Sequence, residues 1–282
     1  MILIADSGSS KTSWTLVKEK QIISRFESEG YNPCYNSREQ ITRSLQNSLP
    51  EGYDWEDISL VAFYGAGCYE DKYEVIEDAL RPLFPNASFD IAMDLLASAR
   101  ALLGHEPGFA AILGTGTNSC LYDGEKIIHN VDSMGFLLGD EGSGAYMGKR
   151  LIRDFIRGHM PDDIRNHFYN TYRLSPDELI GGVYSDPMPN RYCASFTHFL
   201  SNEQMTKQPY IENVIRECFR DFFKNIVIFY PNYSAYTFNC VGSLGWVFNG
   251  TLTLIADEFG MKTGRIIKDP MQGLINFHQI YP

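Results

Sequence analysis

Between Asp6 and Thr12 the chain places a carboxylate, a glycine, a lysine and the hydroxyls of Ser7, Ser9, Ser10 and Thr12 in consecutive positions. The apolar run Met1 to Ala5 precedes this stretch and the β-favouring run Ser13 to Val17 comes after it, which reads as strand, tight loop, strand. Gly8 lets backbone approach a ligand, the hydroxyls of Ser9, Ser10 and Thr12 can bond oxygen, Lys11 offers positive charge, and Asp6 at the strand end can face a metal. Together these groups suit a polyphosphate with magnesium. The glycine–lysine spacing of a P-loop is absent and a strand comes next, so a phosphate cradle at a helix N-terminus does not apply here. Gly, Ser and Asp are also ordinary turn residues, and spacing alone leaves a plain hairpin open.

Other small-residue loops stand at comparable places. Gly114-Thr-Gly-Thr-Asn118 follows the apolar strand Phe109 to Leu113, and Gly139-Asp140 lies in the glycine-rich run Gly135 to Gly144. Asp94 stands where the strand Phe89 to Met93 gives way to a helix through Leu96, Ala99 and Leu103, a position that also suits a simple N-cap. The histidines show no metal-ligand spacing. The six cysteines are scattered, without a Cys-x-x-Cys pair, and read as buried free thiols.

At 282 residues with 44% hydrophobic and 13% aromatic side chains, the chain can bury one large or two moderate cores. A formal charge of -11 disfavours nucleic acid or anionic membrane as a bulk partner, since both are bound by clustered Lys and Arg. An anionic nucleotide could still bind through magnesium and loop amides. No apolar run approaches the length of a membrane span and no basic region precedes the first apolar run, so a cytoplasmic location is expected.

The elements that must position these residues repeat. Strands at the start, at 13–17 and at 21–26, a helix to Leu49, a strand at 59–64, a helix around Ile76 to Leu83, the strand 89–93 and the helix after Asp94 give βββαβαβα. The order begins again at Phe109, with a helix through Ala145 to Ile152, the strand Phe238 to Val241, the helix Leu252 to Phe259, the strand Gly264 to Ile267 and a last helix Pro270 to Phe277. A helical insertion, roughly 161–230, interrupts the second copy. In it, Ser175-Pro-Asp-Glu178 is a capping box whose short helix Gly181-Gly182 should end, and Ile211 to Ile226 carries a wide apolar stripe. Domains are expected at 1–107 and 108–282, an α/β fold whose halves pack around a cleft.

This duplicated unit, with Asp6-Ser-Gly-Ser-Ser-Lys-Thr12, Gly114-Thr-Gly-Thr-Asn118, Gly139-Asp-Glu-Gly-Ser143 and Val241-Gly-Ser-Leu-Gly245 in that order, resembles the BadF/BadG/BcrA/BcrD-type ATPases of the actin-like ATPase superfamily, and among them the N-acetylglucosamine kinases. The resemblance spans almost the whole chain. It implies ribonuclease H-like domains and ATP with Mg2+ as cofactors, with Asp6 on the metal and Gly8 to Thr12 (Gly8, Ser9, Ser10, Lys11, Thr12) together with Gly114, Thr115 and Gly116 near the phosphates. Gly242 and Ser243 match the adenosine-contacting motif. Asn32, Asn118 with the neighbouring Thr117, and Asp140 match positions that hold the sugar, and Asp94 matches the base that takes the proton of the attacking hydroxyl. Ser7 and Ser9 depart from the family by replacing glycines, which narrows the approach of that loop to phosphate. Residue chemistry alone leaves Asp94 an N-cap, Asp140 a solvated loop carboxylate and Asn32 a turn residue beside Pro33.

The resemblance implies an ATP-dependent kinase for a hydroxyl of N-acetylglucosamine or a related amino sugar, a small-molecule partner. A second copy of the chain is the one macromolecular partner left open. The other classes are a family ATPase that drives electrons into a dehydratase through an iron–sulfur cluster, and a nucleotide-dependent regulatory protein without transfer activity. The scattered cysteines weigh against the cluster.

Overall fold

The computed structural model describes residues 1–8, 11–202 and 205–280, and these form two compact units. The first comprises Met1–Glu106 and the chain from Pro270, and the second Pro107–Asp269.

The first unit contains β1 (Ile2–Ser7), β2 (Lys11–Lys18), β3 (Gln21–Glu29), α1 (Arg38–Ser48), β4 (Leu60–Gly65), α2 (Tyr73–Leu80), β5 (Ser88–Met93) and α3 (Asp94–Leu103). Its sheet runs β3-β2-β1-β4-β5, with β1 antiparallel to β2 and parallel to β4. A central strand flanked on both sides is apolar nearly throughout, which explains the Ile-Leu-Ile-Ala run of β1. The core gathers Leu3, Trp14, Leu16, Phe63, Ile76 and Leu80, each worth about 1.5–3 kcal/mol when fully buried. A capping box of Ser37 and Gln40 starts α1.

The second unit contains β6 (Gly108–Leu113), β7 (Thr117–Tyr122), β8 (Ile127–His129), α4 (Gly135–Leu138), α5 (Gly144–Ile156), α6 (Asp162–Tyr172), α7 (Pro176–Ser185), α8 (Pro189–Ser195), α9 (Pro209–Asn225), β9 (Phe238–Val241), α10 (Ser243–Val247), α11 (Asn249–Glu258) and β10 (Thr263–Ile267). Its sheet order, β8-β7-β6-β9-β10, is the first sheet again, strand for strand. The stripe on α9 is core, with Ile211, Val214, Cys218, Phe219 and Phe222 fully shielded from solvent. No helix among the described residues is long and apolar enough to cross a membrane.

Two sequence expectations change. The capping box of α7 is present, but the helix runs through Gly181 and Gly182 to Ser185. A Cβ built on Gly182 would fall 2.2 Å from the ring of Tyr192, so this glycine serves close packing rather than termination. The last helix, α12 (Met271–Ile280), groups with the first unit rather than with the 108–282 segment. It packs on α3, where a Cβ on Gly273 would fall 2.3 Å from the Ala101 carbonyl oxygen.

Candidate active site

In the first unit the parallel strands β1, β4 and β5 end in register, Ser7 beside Gly65 and Gly65 beside Met93. Ligands of open α/β sheets bind at such carboxyl ends. Asp6, next to last in β1, and Asp94, directly after β5, flank this edge two strands apart.

Asp94 is the first residue of α3, and Met93 holds the N-cap position without a side-chain bond. The plain N-cap reading of Asp94 therefore does not hold. Burial raises the proton affinity of its carboxyl, and the backbone N–H groups of Leu95 and Asp94 pull the other way. Cys68 lies near enough to feel the Asp94 charge, and burial chiefly pushes that thiol up to about 12.

Asn32 turns on the loop after β3, where its Oδ1 accepts the Cys34 N–H at 2.9 Å. A Cβ on Gly67, which has φ +76°, would fall 2.4 Å from that oxygen, so the glycine lets the amide lie against the chain leaving β4. Thus Asn32 meets the chain leaving β4, the strand between those that lead to Asp6 and Asp94.

The phosphate-loop candidates of this unit separate. Ser7 and Thr12 are buried, their hydroxyls 2.7 Å apart. Ser7 also bonds the backbone of Tyr31, and Thr12 donates to the Glu29 carbonyl at 2.9 Å. These hydroxyls tie together the strand ends that flank the loop, and Ser7, one of the two serines that depart from the family's glycines, is among them. Lys11 points outward and pairs with Glu27 of β3. Gly8 is exposed, and a Cβ there would meet only the Lys11 carbonyl oxygen at 3.7 Å. Ser9 and Ser10 lie outside the described residues.

The second unit gathers its candidates more tightly. A cavity of about 300 Å³ has Gly114, Thr115 and Ser243 in its wall, with Arg191, Thr197 and His198 from the insertion. Gly242, φ +134°, packs on this loop so closely that a Cβ would fall 2.3 Å from the Leu113 carbonyl oxygen. The loop itself is fixed by its carbonyls: Gly114 accepts from the Gly144 N–H at 2.8 Å and Thr115 from the Ala145 N–H at 3.0 Å. The first turn of α5 thus spends its free amides on the loop.

Beside it, Asp140 is buried at φ +58° and accepts the Thr117 N–H at 3.2 Å, while the Thr117 hydroxyl donates to the Glu141 carbonyl at 2.9 Å. Burial raises the Asp140 carboxyl above its usual range, opposed by the Thr117 N–H, a Ser133 hydroxyl and Lys149. Gly116 completes the group, a Cβ there lying 3.2 Å from the carboxylate. Asn118 comes directly after Thr117 along β7 and so faces the other side of the sheet. Its Oδ1 accepts from Ser119 N–H and from Asn130 Nδ2. The structure brings Thr117 to Asp140 and leaves Asn118 apart.

The sequence motifs do not point to the stretch Arg191 to His198. The available signal was Gly144 and Gly148 at a spacing of four on α5, which lets another helix approach. A Cβ on Gly148 would fall 1.8 Å from the Cys193 carbonyl oxygen of α8.

No family model matches the chain. Over its full length it is 37% identical to a candidate N-acetylglucosamine kinase from Porphyromonas gingivalis, 99% of whose crystallised chain it covers with a TM-score of 0.94. It is 24% identical over 237 residues, 78% of this chain and 76% of the relative, to an N-acetylmuramic acid/N-acetylglucosamine kinase of Clostridium acetobutylicum. A ROK-family glucokinase from Streptomyces griseus, solved with glucose and AMPPNP, is 13% identical and shares the fold with a TM-score of 0.62 over 99% of this chain and 98% of that one.

Proposed function

The chain belongs to the N-acetylglucosamine kinase-like group of the BadF/BadG/BcrA/BcrD-type ATPases, and from that premise we propose that it transfers the γ-phosphoryl group of ATP to a hydroxyl of N-acetylglucosamine or a related amino sugar in the cytoplasm. The observation that carries the chemistry is Asp94, a partly buried carboxylate of raised proton affinity at the carboxyl edge of the parallel strands, which Asp6 also approaches. A base needs a proton affinity lifted toward the working pH, and burial supplies that lift.

In this reading Asp94 takes the proton of the attacking hydroxyl, and Asn32, Asp140 and Thr117 hold the sugar, while Asn118 stays on the other face of β7 with Asn130. Gly8 with Ser9 and Ser10, and Gly114 to Gly116, offer backbone to the phosphates. Gly242 and Ser243 line the adenosine. Thr12 braces its loop, and Lys11, already paired with Glu27, keeps a surface role.

Asp6 is a hard oxygen donor at a strand end and fits magnesium. Magnesium is commonly held by one or two carboxylates, keeping waters and phosphate oxygens as its other ligands. When bound, the ion would neutralise charge developing on the phosphates.

The test is incubation with ATP, magnesium and a panel of hexoses and amino sugars, following ADP release and the product mass. A phosphorylated amino sugar is the expected product. ATP binding with no phosphorylated sugar from any acceptor would sink the kinase and favour the regulatory class.

A further inference from the structure

Helix α8 is pressed onto α5 at two places. Cys193 carbonyl oxygen occupies the space of a missing Cβ at Gly148, and Ala194 Cβ lies 3.3 Å from the position of one at Gly144. This contact sets the segment Arg191 to His198 in the wall of the cavity that Gly114, Thr115 and Ser243 also line.

Arg191 is unusual there. Its backbone N–H donates to Met188 at 2.9 Å, but among the described residues its guanidinium makes no ion pair, and Nη2 is shielded from solvent without a hydrogen-bond partner. Arg100, Arg150, Arg216 and Arg220 all have carboxylate partners. In a chain of net charge -11, an arginine without a carboxylate beside a glycine loop is an opening for an external anion. A shielded donor without an acceptor costs free energy that a bound oxygen restores.

The amides at the first turn of α5 and the lysine of the first unit are already engaged. The N–H groups of Gly144, Ala145 and Tyr146, at the first turn of α5, donate to Gly114, Thr115 and the Ser143 hydroxyl. Lys11, the cation the sequence offers, is held by Glu27. We propose that Arg191 binds the polyphosphate of the nucleotide, an inference that rests on the kinase reading. The planar guanidinium matches phosphate oxygens in a two-point contact that neither a hydroxyl nor a loop amide supplies. The insertion thereby serves the nucleotide.

Calorimetric titration of ATP, ADP and adenosine into the parent, Arg191→Met and Arg191→Lys tests it. Losing a charged hydrogen bond should weaken ATP and ADP about 10-fold or more in the Met variant, leave adenosine within about twofold, and be partly restored in the Lys variant. Thermal melts establish that the variants fold. Should Arg191→Met fail to fold, Arg191→Lys carries the test, because loss of the two-point contact must still weaken ATP more than adenosine. Equal loss of adenosine and ATP, or no loss of either, overturns the inference while leaving the kinase intact. Failure of the parent itself to bind ATP would instead defeat the kinase reading, and the inference with it.

Discussion

In the first unit the hydroxyls after the leading strand turn inward, Ser7 and Thr12 closing on each other and on the backbone of Tyr31 and Glu29. In the second unit the equivalent loop is held by its own carbonyls, which accept from the first turn of α5. The strand orders are identical, so the difference arises in the segments after the third strand of each sheet. A single helix, α1, comes after β3, whereas α4 to α9 come after β8 and wall the second loop with α8. A duplicated sheet can therefore tie the strand ends flanking one loop with side chains and present another loop against a lined cavity.

The largest expected effect separates the carboxylates of the two units whose proton affinity burial raises. Asp94→Asn should slow phosphoryl transfer about 100- to 10,000-fold, with ATP and sugar affinities nearly unchanged. Because burial raises the Asp94 proton affinity, its charge weighs against folding above the raised pKa, and a neutral amide removes that penalty. The variant should melt no lower than the parent at neutral pH. In the parent, transfer should fall as pH drops through the raised pKa, above the ordinary carboxylate value of 3.8. Asp140→Asn should mainly raise the sugar KM, since the amide oxygen can still accept the Thr117 N–H. Turnover of the Asp94 variant within a few-fold of the parent at saturating substrates would reduce Asp94 to a positioning residue.

Glycines sharpen the comparison next. Gly242→Ala drives a Cβ to within 2.3 Å of the Leu113 carbonyl oxygen from a backbone at φ +134°, and strain with overpacking should cost about 2–5 kcal/mol. Gly114→Ala meets nothing within 4 Å. Its stability should stay within about 1 kcal/mol of the parent, so weaker ATP binding by that variant would report ligand approach alone. Equal destabilisation of the two variants in urea would refute the distinction.

The repeat, the antiparallel openings and the α9 core stripe were legible because periods of 2 and 3.6 are local properties of the chain. The allegiance of α12 was not. An apolar face states that a helix needs cover, not which sheet supplies it, and Gly273 against Ala101 is decided by tertiary approach. Gly182 misled for the same reason, since a glycine for close packing and a glycine for termination look alike in sequence. Asp6, Asp94 and Asp140 were proposed from their positions and motifs. Arg191 gave no signal in the sequence, because what marks it is a partner it lacks among the described residues.

A smaller effect concerns the helix that closes the first unit. His278 of α12 is buried beside Tyr64, their Nε2 and hydroxyl 2.7 Å apart, with Asp90 and Arg100 adjacent. Burial first, and Arg100 after it, lower the His278 pKa to about 4 from 6.5, while Asp90 opposes them. A depressed folded pKa contributes stability that is present above 6.5 and is lost as pH falls toward 4. At pH 5.5, one unit into that window, the loss is at most about 1.4 kcal/mol. Urea midpoints should drop more for the parent than for His278→Gln between about pH 7.5 and about pH 5.5. Parallel profiles would remove His278 from the linkage.

The smallest effect is expected at the cation of the first unit, and it bears most directly on the contrast with Arg191. Lys11 and Glu27 are both well exposed, 60% and 59% by side chain, so water screens their pairing. Such pairs contribute about 0–1 kcal/mol. Lys11→Met should therefore shift the melting midpoint little, and if the ammonium stays on Glu27 when nucleotide binds, ATP affinity should change by less than about threefold, or ~0.7 kcal/mol. Glu27→Gln examines the same point from the other side. Freed from its partner, Lys11 could turn toward phosphate, and a tighter complex with ATP would show that Glu27 had been holding it back. A tenfold weakening by Lys11→Met, about 1.4 kcal/mol, would mean that the ligand breaks the pair. The first unit would then supply the phosphate cation after all, and the contrast between a neutralised lysine and an open arginine would hold only in the absence of nucleotide.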